Sequence, residues 1–299
     1  MIISASRRTD IPAFYTPWLM NRLRQGYCTV PNPCNTKQVR RVSLAPEDVD
    51  ALVFWTKNPA PLLPFLEEIG HRGLECFFLV TLTGYSGVYE PRVPEPEKVL
   101  ESMKKLAEIL GTSRIAWRYD PIILSDRTSP SWHLENFSFL ASSLRSSACR
   151  CIVSMLDIYP SLERRFRSLP PAFQPWREER LFRGMEELFP ALRQTADTLN
   201  LSLQSCAETR NLASWGISPG ACIDPAWISL GLEKLLKTKK DPHQRPFCLC
   251  ASSRDIGMYR SCPHGCLYCY ASPLSSEKKP SPSHFPESPS LLGRFFTKE

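Results

Sequence analysis

Three cysteines late in the chain, Cys262, Cys266 and Cys269, have a spacing that suits an iron-sulfur cluster. Because they lie on one short loop, all three thiolates can reach one face of a cubic cluster. Four thiolates saturate a [4Fe-4S] cluster, whereas three leave one iron free to bind a ligand that is then reduced. Gly265 relaxes the backbone of this loop, and an aromatic residue, Tyr268, precedes the last cysteine. The sequence therefore predicts a catalytic metal site here.

Zinc is the main alternative for the same thiolates. A tetrahedral site could combine the three cysteines with Cys248 or Cys250, since four sulfur ligands suit zinc as well as iron-sulfur clusters. A further interpretation leaves these cysteines without a metal, as free thiols or disulfides. The loop also contains His264, which we expect to be exposed. The spacing by itself leaves iron and zinc open.

Four more cysteines stand at or near the ends of late apolar runs. They are Cys206, Cys222, Cys248 and Cys250. Four thiolates could bind a second, saturated iron-sulfur cluster that relays electrons or contacts a substrate. The competing interpretation is buried cysteine without a metal, because a free cysteine behaves as a small hydrophobic side chain. Both interpretations remain open from the sequence.

One repeated pattern predicts the elements that position these cysteines: a short apolar run ends abruptly in polar residues. Uninterrupted apolar runs are typical of strands buried on both faces, and hence of a parallel sheet. Amphipathic helical segments lie between the runs, most clearly residues 97–110 with Gly111 as a C-cap. This order predicts an α/β fold, a full or partial TIM-like parallel β/α barrel. The predicted strands are residues 2–5, 52–55, 76–80, 115–117, 151–156, 201–206 and 247–250.

Polar residues follow or end several of these predicted strands. The carboxyl ends of parallel barrel strands converge on one mouth, so we expect these side chains to line a common site. Alternatively, Arg118 and Asp120 could pair with barrel neighbours and touch no cofactor. The residues in question are Thr56, Lys57, Arg118, Asp120 and Ser154.

The cysteine spacing and the strand ends resemble a known superfamily. The triplet Cys262, Cys266 and Cys269 resembles the cluster motif of the radical S-adenosylmethionine (radical SAM) enzymes. The segments FWTKNP, TLT and WRYDPII, which begin at Phe54, Thr81 and Trp117, look like successive strand ends of spore photoproduct lyase and its radical relatives. Those proteins carry the cluster loop after the first barrel strand, and here it follows the last predicted strand. The chain therefore looks like a circular permutation of that barrel.

The chain as a whole resembles a bacterial domain-of-unknown-function family. Its members start like residues 6–12, SRRTDIP, and carry this C-terminal cysteine cluster. Permutation would place the first strand beside the last, because barrel closure depends on which strands are neighbours. We therefore expect Arg7, Arg8 and Asp10 to stand close to the cluster.

The radical SAM resemblance implies two cofactors, a [4Fe-4S] cluster and S-adenosylmethionine (SAM). The open iron would chelate SAM, and one electron from a reductant such as flavodoxin or ferredoxin would cleave it to a 5'-deoxyadenosyl radical. Lys57 or Arg118 would bind the methionine carboxylate and Asp120 the hydroxyls. Tyr268 would lie by the adenine. The cofactor-binding residues implied in this way are Thr56, Lys57, Arg118, Asp120, Ser154 and Tyr268.

Composition bounds the domain organisation and the location. With 299 residues, of which 42% are hydrophobic and 22% charged, the chain can bury one large core, which we assign to residues 1–272. We expect a mobile Ser/Pro-rich tail over residues 273–299. The sequence shows no signal peptide or membrane-length apolar run, so we expect a cytoplasmic protein without a membrane partner. In a reducing cytoplasm, metal ligands or buried thiols explain twelve cysteines better than disulfides do.

The net charge of +7 permits a nucleic acid or nucleotide substrate but does not require one. We favour it slightly over a small molecule or a peptide because of the photoproduct-lyase-like strand ends. Two other function classes remain: a zinc-stabilised binding barrel without radical chemistry, and an iron-sulfur electron carrier. A carrier needs neither an open iron nor a large barrel mouth.

Overall fold

A computed structural model describes residues 1–85, 87–271 and 283–297, which form an α/β structure around a parallel sheet. Within this part of the chain, eight strands form one sheet in the order β10-β1-β4-β5-β6-β7-β8-β9, and its neighbouring strands are all parallel. Strands β2 and β3 form a separate antiparallel hairpin. The strands are β1 (Ile2–Ala5), β2 (Tyr27–Pro31), β3 (Val39–Ser43), β4 (Ala51–Thr56), β5 (Cys76–Thr81), β6 (Ile115–Ile122), β7 (Arg150–Met155), β8 (Ser202–Cys206), β9 (Ser218–Gly220) and β10 (Arg254–Asp255).

Helices connect the strands and cover the sheet. In α4, the apolar residues Val99, Met103 and Leu106 recur at helical spacing and are buried, and the helix ends where the Gly111 amide bonds to the carbonyl of Ala107. None of the helices in the described ranges is long and apolar enough to cross a membrane. The α-helices are α1 (Ile11–Phe14), α2 (Thr16–Gln25), α3 (Leu66–His71), α4 (Pro96–Leu110), α5 (Pro130–Leu144), α6 (Pro160–Arg167), α7 (Glu178–Thr198) and α8 (Pro225–Leu232). Short 3-10 helices span Ala60–Phe65, Thr112–Arg114, Pro171–Phe173 and Leu212–Trp215.

The prediction of an α/β fold with a parallel sheet is confirmed. The central strands are buried on both faces, as their continuous apolar runs required. Phe54 and Phe78 pack together on one face of the sheet, with ring centroids 5.0 Å apart. On the other face Phe77 packs against Trp227 at the start of α8. The sheet therefore has a core on each side.

The predicted strand at residues 247–250 is wrong. Phe247 and Leu249 are exposed while Cys248 and Cys250 are buried, and the segment has no strand neighbour. The last strand is instead β10, because Ile3 and Ser4 of β1 pair with Arg254 and Asp255. Which segment forms a strand here depends on pairing with β1 and not on how apolar the segment is. The hairpin β2–β3 and the three-residue β9 were not predicted.

The expected mobile tail is wrong for residues 283–297, which belong to the folded core. Leu291 and Leu292 are buried in the same apolar cluster as helix α2. The Trp18 indole on α2 donates to the carbonyl of Ser288 at 3.0 Å, and the backbone amide of Thr29 donates to Pro289 at 2.8 Å. Residues 283–297 bury apolar surface of α2 that would otherwise be exposed to water. The rest of the predicted tail, residues 273–282 and 298–299, lies outside the described residues.

A buried histidine gives this fold an acid-sensitive point. His133 on α5 accepts a hydrogen bond from the Tyr119 hydroxyl at 2.7 Å and donates to the carbonyl of Ile123 at 3.0 Å. Burial lowers the pKa of His133 from 6.5 to about 4. Its stabilising contribution is therefore complete above the unfolded pKa and is lost as the pH falls from 6.5 towards 4. The loss is at most about 3 kcal/mol.

We expect His133→Gln to lose less stability on acidification than the unsubstituted protein, because glutamine can still donate to Ile123 but does not titrate. Urea unfolding at about pH 7.5 and about pH 4.5 measures the difference. An equal loss of stability in both proteins would contradict this role of His133.

Candidate functional site

A cavity of about 1680 Å³ opens where the carboxyl ends of β1, β4, β6 and β7 meet. The loop Cys262–Cys269, here called the cluster loop, forms one wall, and the hairpin β2–β3 forms another. The structure brings all the sequence-predicted cofactor residues to this cavity, as expected for side chains at the ends of parallel strands. These are Thr56, Lys57, Arg118, Asp120, Ser154 and Tyr268.

The cluster loop is shaped by a glycine and an arginine. Gly265 has a positive φ of 69°, which favours glycine. A β-carbon there would also come within 2.5 Å of the Arg92 guanidinium, which lies over the loop. Arg92 donates through Nε to the carbonyl of Pro263. Its packing therefore depends on the absence of a side chain at Gly265.

Further hydrogen bonds fix the loop to the body of the protein. The Leu267 amide donates to the carbonyl of Tyr89 at 2.9 Å. From helix α6, Arg165 Nη1 donates to the carbonyls of Leu267 at 3.1 Å and Cys269 at 2.9 Å. The Tyr15 hydroxyl donates to Ser261, just before the loop, at 2.5 Å. The three cysteines therefore stand on a braced backbone.

His264 is buried, so the expectation that it would be exposed is wrong. Its side chain contacts Asp10 through Nε2 at 2.9 Å and the carbonyl of Arg92 through Nδ1 at 3.1 Å. The ring of Phe14 packs edge-on against it. His264 is held inside because its partner Asp10 is itself fixed in place. Asp10 caps α1 by accepting from the Ala13 amide at 3.0 Å, and it also reaches the cluster loop. As expected, Asp10 lies beside the cluster loop.

The three loop thiols face a partly buried environment. Burial raises the pKa of Cys262 to about 12 and that of Cys266 still further, although Lys57 opposes the rise at Cys266. A metal ion would have to displace their protons on binding. Across residues 1–85, 87–271 and 283–297, no group of three or more His, Cys, Asp or Glu side chains is arranged to hold a metal as it stands.

A glutamate that the sequence did not single out organises one side of the cavity. Glu90 is buried and accepts hydrogen bonds from Lys57 Nζ at 2.8 Å, from Thr83 Oγ1 at 2.7 Å and from the Tyr268 hydroxyl. Glu90 therefore already neutralises the charge of Lys57. This weakens the prediction that Lys57 binds the carboxylate of a ligand. Glu90 lies in an irregular segment between β5 and α4, where no periodic pattern marks it.

The other side of the cavity has donors without protein partners. Arg118 pairs with Asp120, which also accepts from Ser154, so the pairing considered from sequence does occur. Nevertheless, within the described part of the chain, Arg118 Nε and the buried indole nitrogen of Trp55 have no hydrogen-bond partner. The guanidinium groups of Arg118 and Arg7 lie 4.9 and 5.2 Å from the centre of the Trp55 ring. This wall suits an anionic or acceptor-rich ligand.

The second set of cysteines also meets at the cavity. Cys206 is the last residue of β8, Cys222 comes shortly after β9, and their sulfur atoms are 3.3 Å apart. The sulfur of Cys250 accepts from the amide of Ile223, the residue after Cys222, at 3.4 Å. Residues two apart in an extended segment face the same side, which explains why Cys248 and Cys250 are both buried. The structure therefore brings together all four predicted thiols.

The fold and site define an α/β protein with a cysteine-lined cavity at the carboxyl ends of its strands. The chain belongs to the family described as domain of unknown function (DUF1848), whose model matches residues 2–271. The predicted membership in a domain-of-unknown-function family is thereby confirmed, and radical SAM membership stays a prediction. No curated protein and no solved structure matches the chain.

Proposed function

We propose that this protein is a radical SAM enzyme whose [4Fe-4S] cluster is held by Cys262, Cys266 and Cys269. The observation that carries the proposal is the placement of these thiols on one braced loop facing a cavity of about 1680 Å³. A structural metal site could be closed, whereas an open metal position needs room for a ligand beside it. When bound, the cluster would supply the electron that cleaves SAM to a 5'-deoxyadenosyl radical.

The chain's own residues would orient SAM from two sides of the cavity. Arg118 is the better partner for the methionine carboxylate, because its buried Nε has no partner among the described residues while Lys57 is paired with Glu90. Asp120 and Ser154 remain the candidates for hydroxyl groups, and Thr56 and Tyr268 complete the lining. Tyr268, braced by Glu90, offers a fixed aromatic face for the adenine.

We further propose that the sheet is a circularly permuted, full or partial β/α barrel. The support is the pairing of β1 with β10, which immediately precedes the cluster loop. In the unpermuted order, a cluster loop follows the first strand, so a loop that leaves from β10 beside β1 stands in an equivalent place. A nucleic acid or nucleotide substrate remains slightly favoured over a small molecule or peptide, and the charge of +7 is compatible with all of them.

The test is anaerobic purification and reconstitution with iron and sulfide, followed by reduction in the presence of SAM. We expect a brown protein that converts SAM to 5'-deoxyadenosine and methionine, both quantified by chromatography. A colourless protein that keeps about one zinc per chain and leaves SAM intact would instead indicate the zinc-stabilised barrel. A brown protein that does not cleave SAM would indicate an electron carrier.

A further inference from the structure

The cysteines at positions 206, 222, 248 and 250 differ from the other buried cysteines of this chain. Cys28 and Cys76 lie in the apolar core and do not line the cavity. The four, by contrast, all line it; the sulfur atoms of Cys206 and Cys222 are in contact, and the sulfur of Cys250 reaches the backbone beside Cys222. A cysteine that serves only as a small apolar side chain needs no thiol neighbours.

The backbone around these cysteines joins the two ends of the sheet. The Ala251 amide donates to the carbonyl of Ile223 at 2.9 Å, and the Ile223 amide donates to the sulfur of Cys250 at 3.4 Å. Ile223 comes shortly after β9, one edge of the sheet, and Ala251 shortly before β10, the other edge. The four sulfur atoms therefore sit where segments from the two sheet edges meet.

The charges nearby suit thiolates. The side chains of Arg7, Arg118 and Arg245 line the same cavity as the four cysteines. Four thiolates around a dipositive metal core carry a net charge of about −2, which such guanidinium groups would offset.

We infer that Cys206, Cys222, Cys248 and Cys250 form a second metal centre, a four-thiolate site that fastens the segment after β9 to the segment before β10. Soft metals that prefer thiolates, zinc or a saturated iron-sulfur cluster, match this ligand set. Binding of zinc, or of a preformed cluster, exchanges thiol protons for the metal and changes no oxidation state. The inference is independent of the function proposed for the cluster loop.

The experiment measures iron, sulfide and zinc per chain in protein reconstituted anaerobically. The key variant replaces all three loop cysteines, Cys262→Ala, Cys266→Ala and Cys269→Ala, and so leaves the second set untouched. We expect it to keep either about four irons or about one zinc, depending on which metal the site takes. A folded triple variant that holds neither metal would overturn the inference.

A second variant tests the site directly. Cys206→Ser with Cys222→Ser should lose the metal that the triple variant keeps, while Cys76→Ala, a buried cysteine outside the cluster, should lose none. Should the serine variant not fold, the triple variant alone decides the matter. If the triple variant instead holds as much metal as the unsubstituted protein, the proposed SAM cluster fails and the second centre stands.

Discussion

Cys266→Ala should abolish the conversion of SAM to 5'-deoxyadenosine. Cys266 is the most buried of the three loop thiols. Without it only two thiolates remain for the cluster, so we expect the iron content to fall by about four per chain. Iron and sulfide analysis, electron paramagnetic resonance and chromatography of 5'-deoxyadenosine measure the two effects.

The matched control is Cys34→Ala. Cys34 lies on the hairpin β2–β3 and also lines the cavity, but it is exposed. We expect its replacement to leave both the iron content and SAM cleavage unchanged. Cleavage by the Cys266→Ala protein at the rate of the control would sink the assignment of the cluster loop.

Asp255→Ala should lower the free energy of unfolding by about 3 kcal/mol or more, because it leaves several buried hydrogen-bond donors without an acceptor. One carboxylate oxygen of Asp255 accepts from Ser6 Oγ at 2.7 Å and the Gly257 amide at 3.0 Å. The other accepts from Ser4 Oγ at 3.0 Å and the Arg7 amide at 2.8 Å. These bonds join β1 and the segment after it to β10. The cluster loop comes shortly after β10 in the chain.

Urea unfolding compares Asp255→Ala with Asp197→Ala. Asp197 also pairs with an arginine, Arg193, but on the exposed surface of α7, where a single ion pair adds little. We expect the Asp197→Ala protein to unfold at the urea concentration of the unsubstituted protein. Equal midpoints for the two variants would show that the Asp255 network does not hold the ends of the sheet.

Much of the sheet was predictable because its strands are buried on both faces. Runs such as residues 52–55 and 76–80 are apolar at every position, and only a parallel sheet between two layers accommodates them. The same rule failed at residues 247–250, since a buried thiol and a buried strand residue look alike in sequence. Residues 247–250 look apolar because two buried cysteines alternate with two exposed apolar residues, and they do not form a strand.

The polar residues of the site were predictable only as a set. Strand ends converge in any parallel sheet, so Lys57, Arg118 and Asp120 could be placed at one cavity. The ion pairs of these residues could not be predicted. Glu90, which pairs with Lys57, comes from a loop that has no periodic sequence pattern. The burial of His264 likewise depends on Asp10, a residue more than two hundred positions away in the chain.

The pairing of β1 with β10 also bears on when the protein can mature. β1 leaves the ribosome well before β10, its neighbour on one side, because β2 to β9 lie between them in the chain. Contacts between such distant segments form late and slowly. We therefore expect a metal at the cluster loop to be inserted only after β10 has been made, when β1 can pair on that edge.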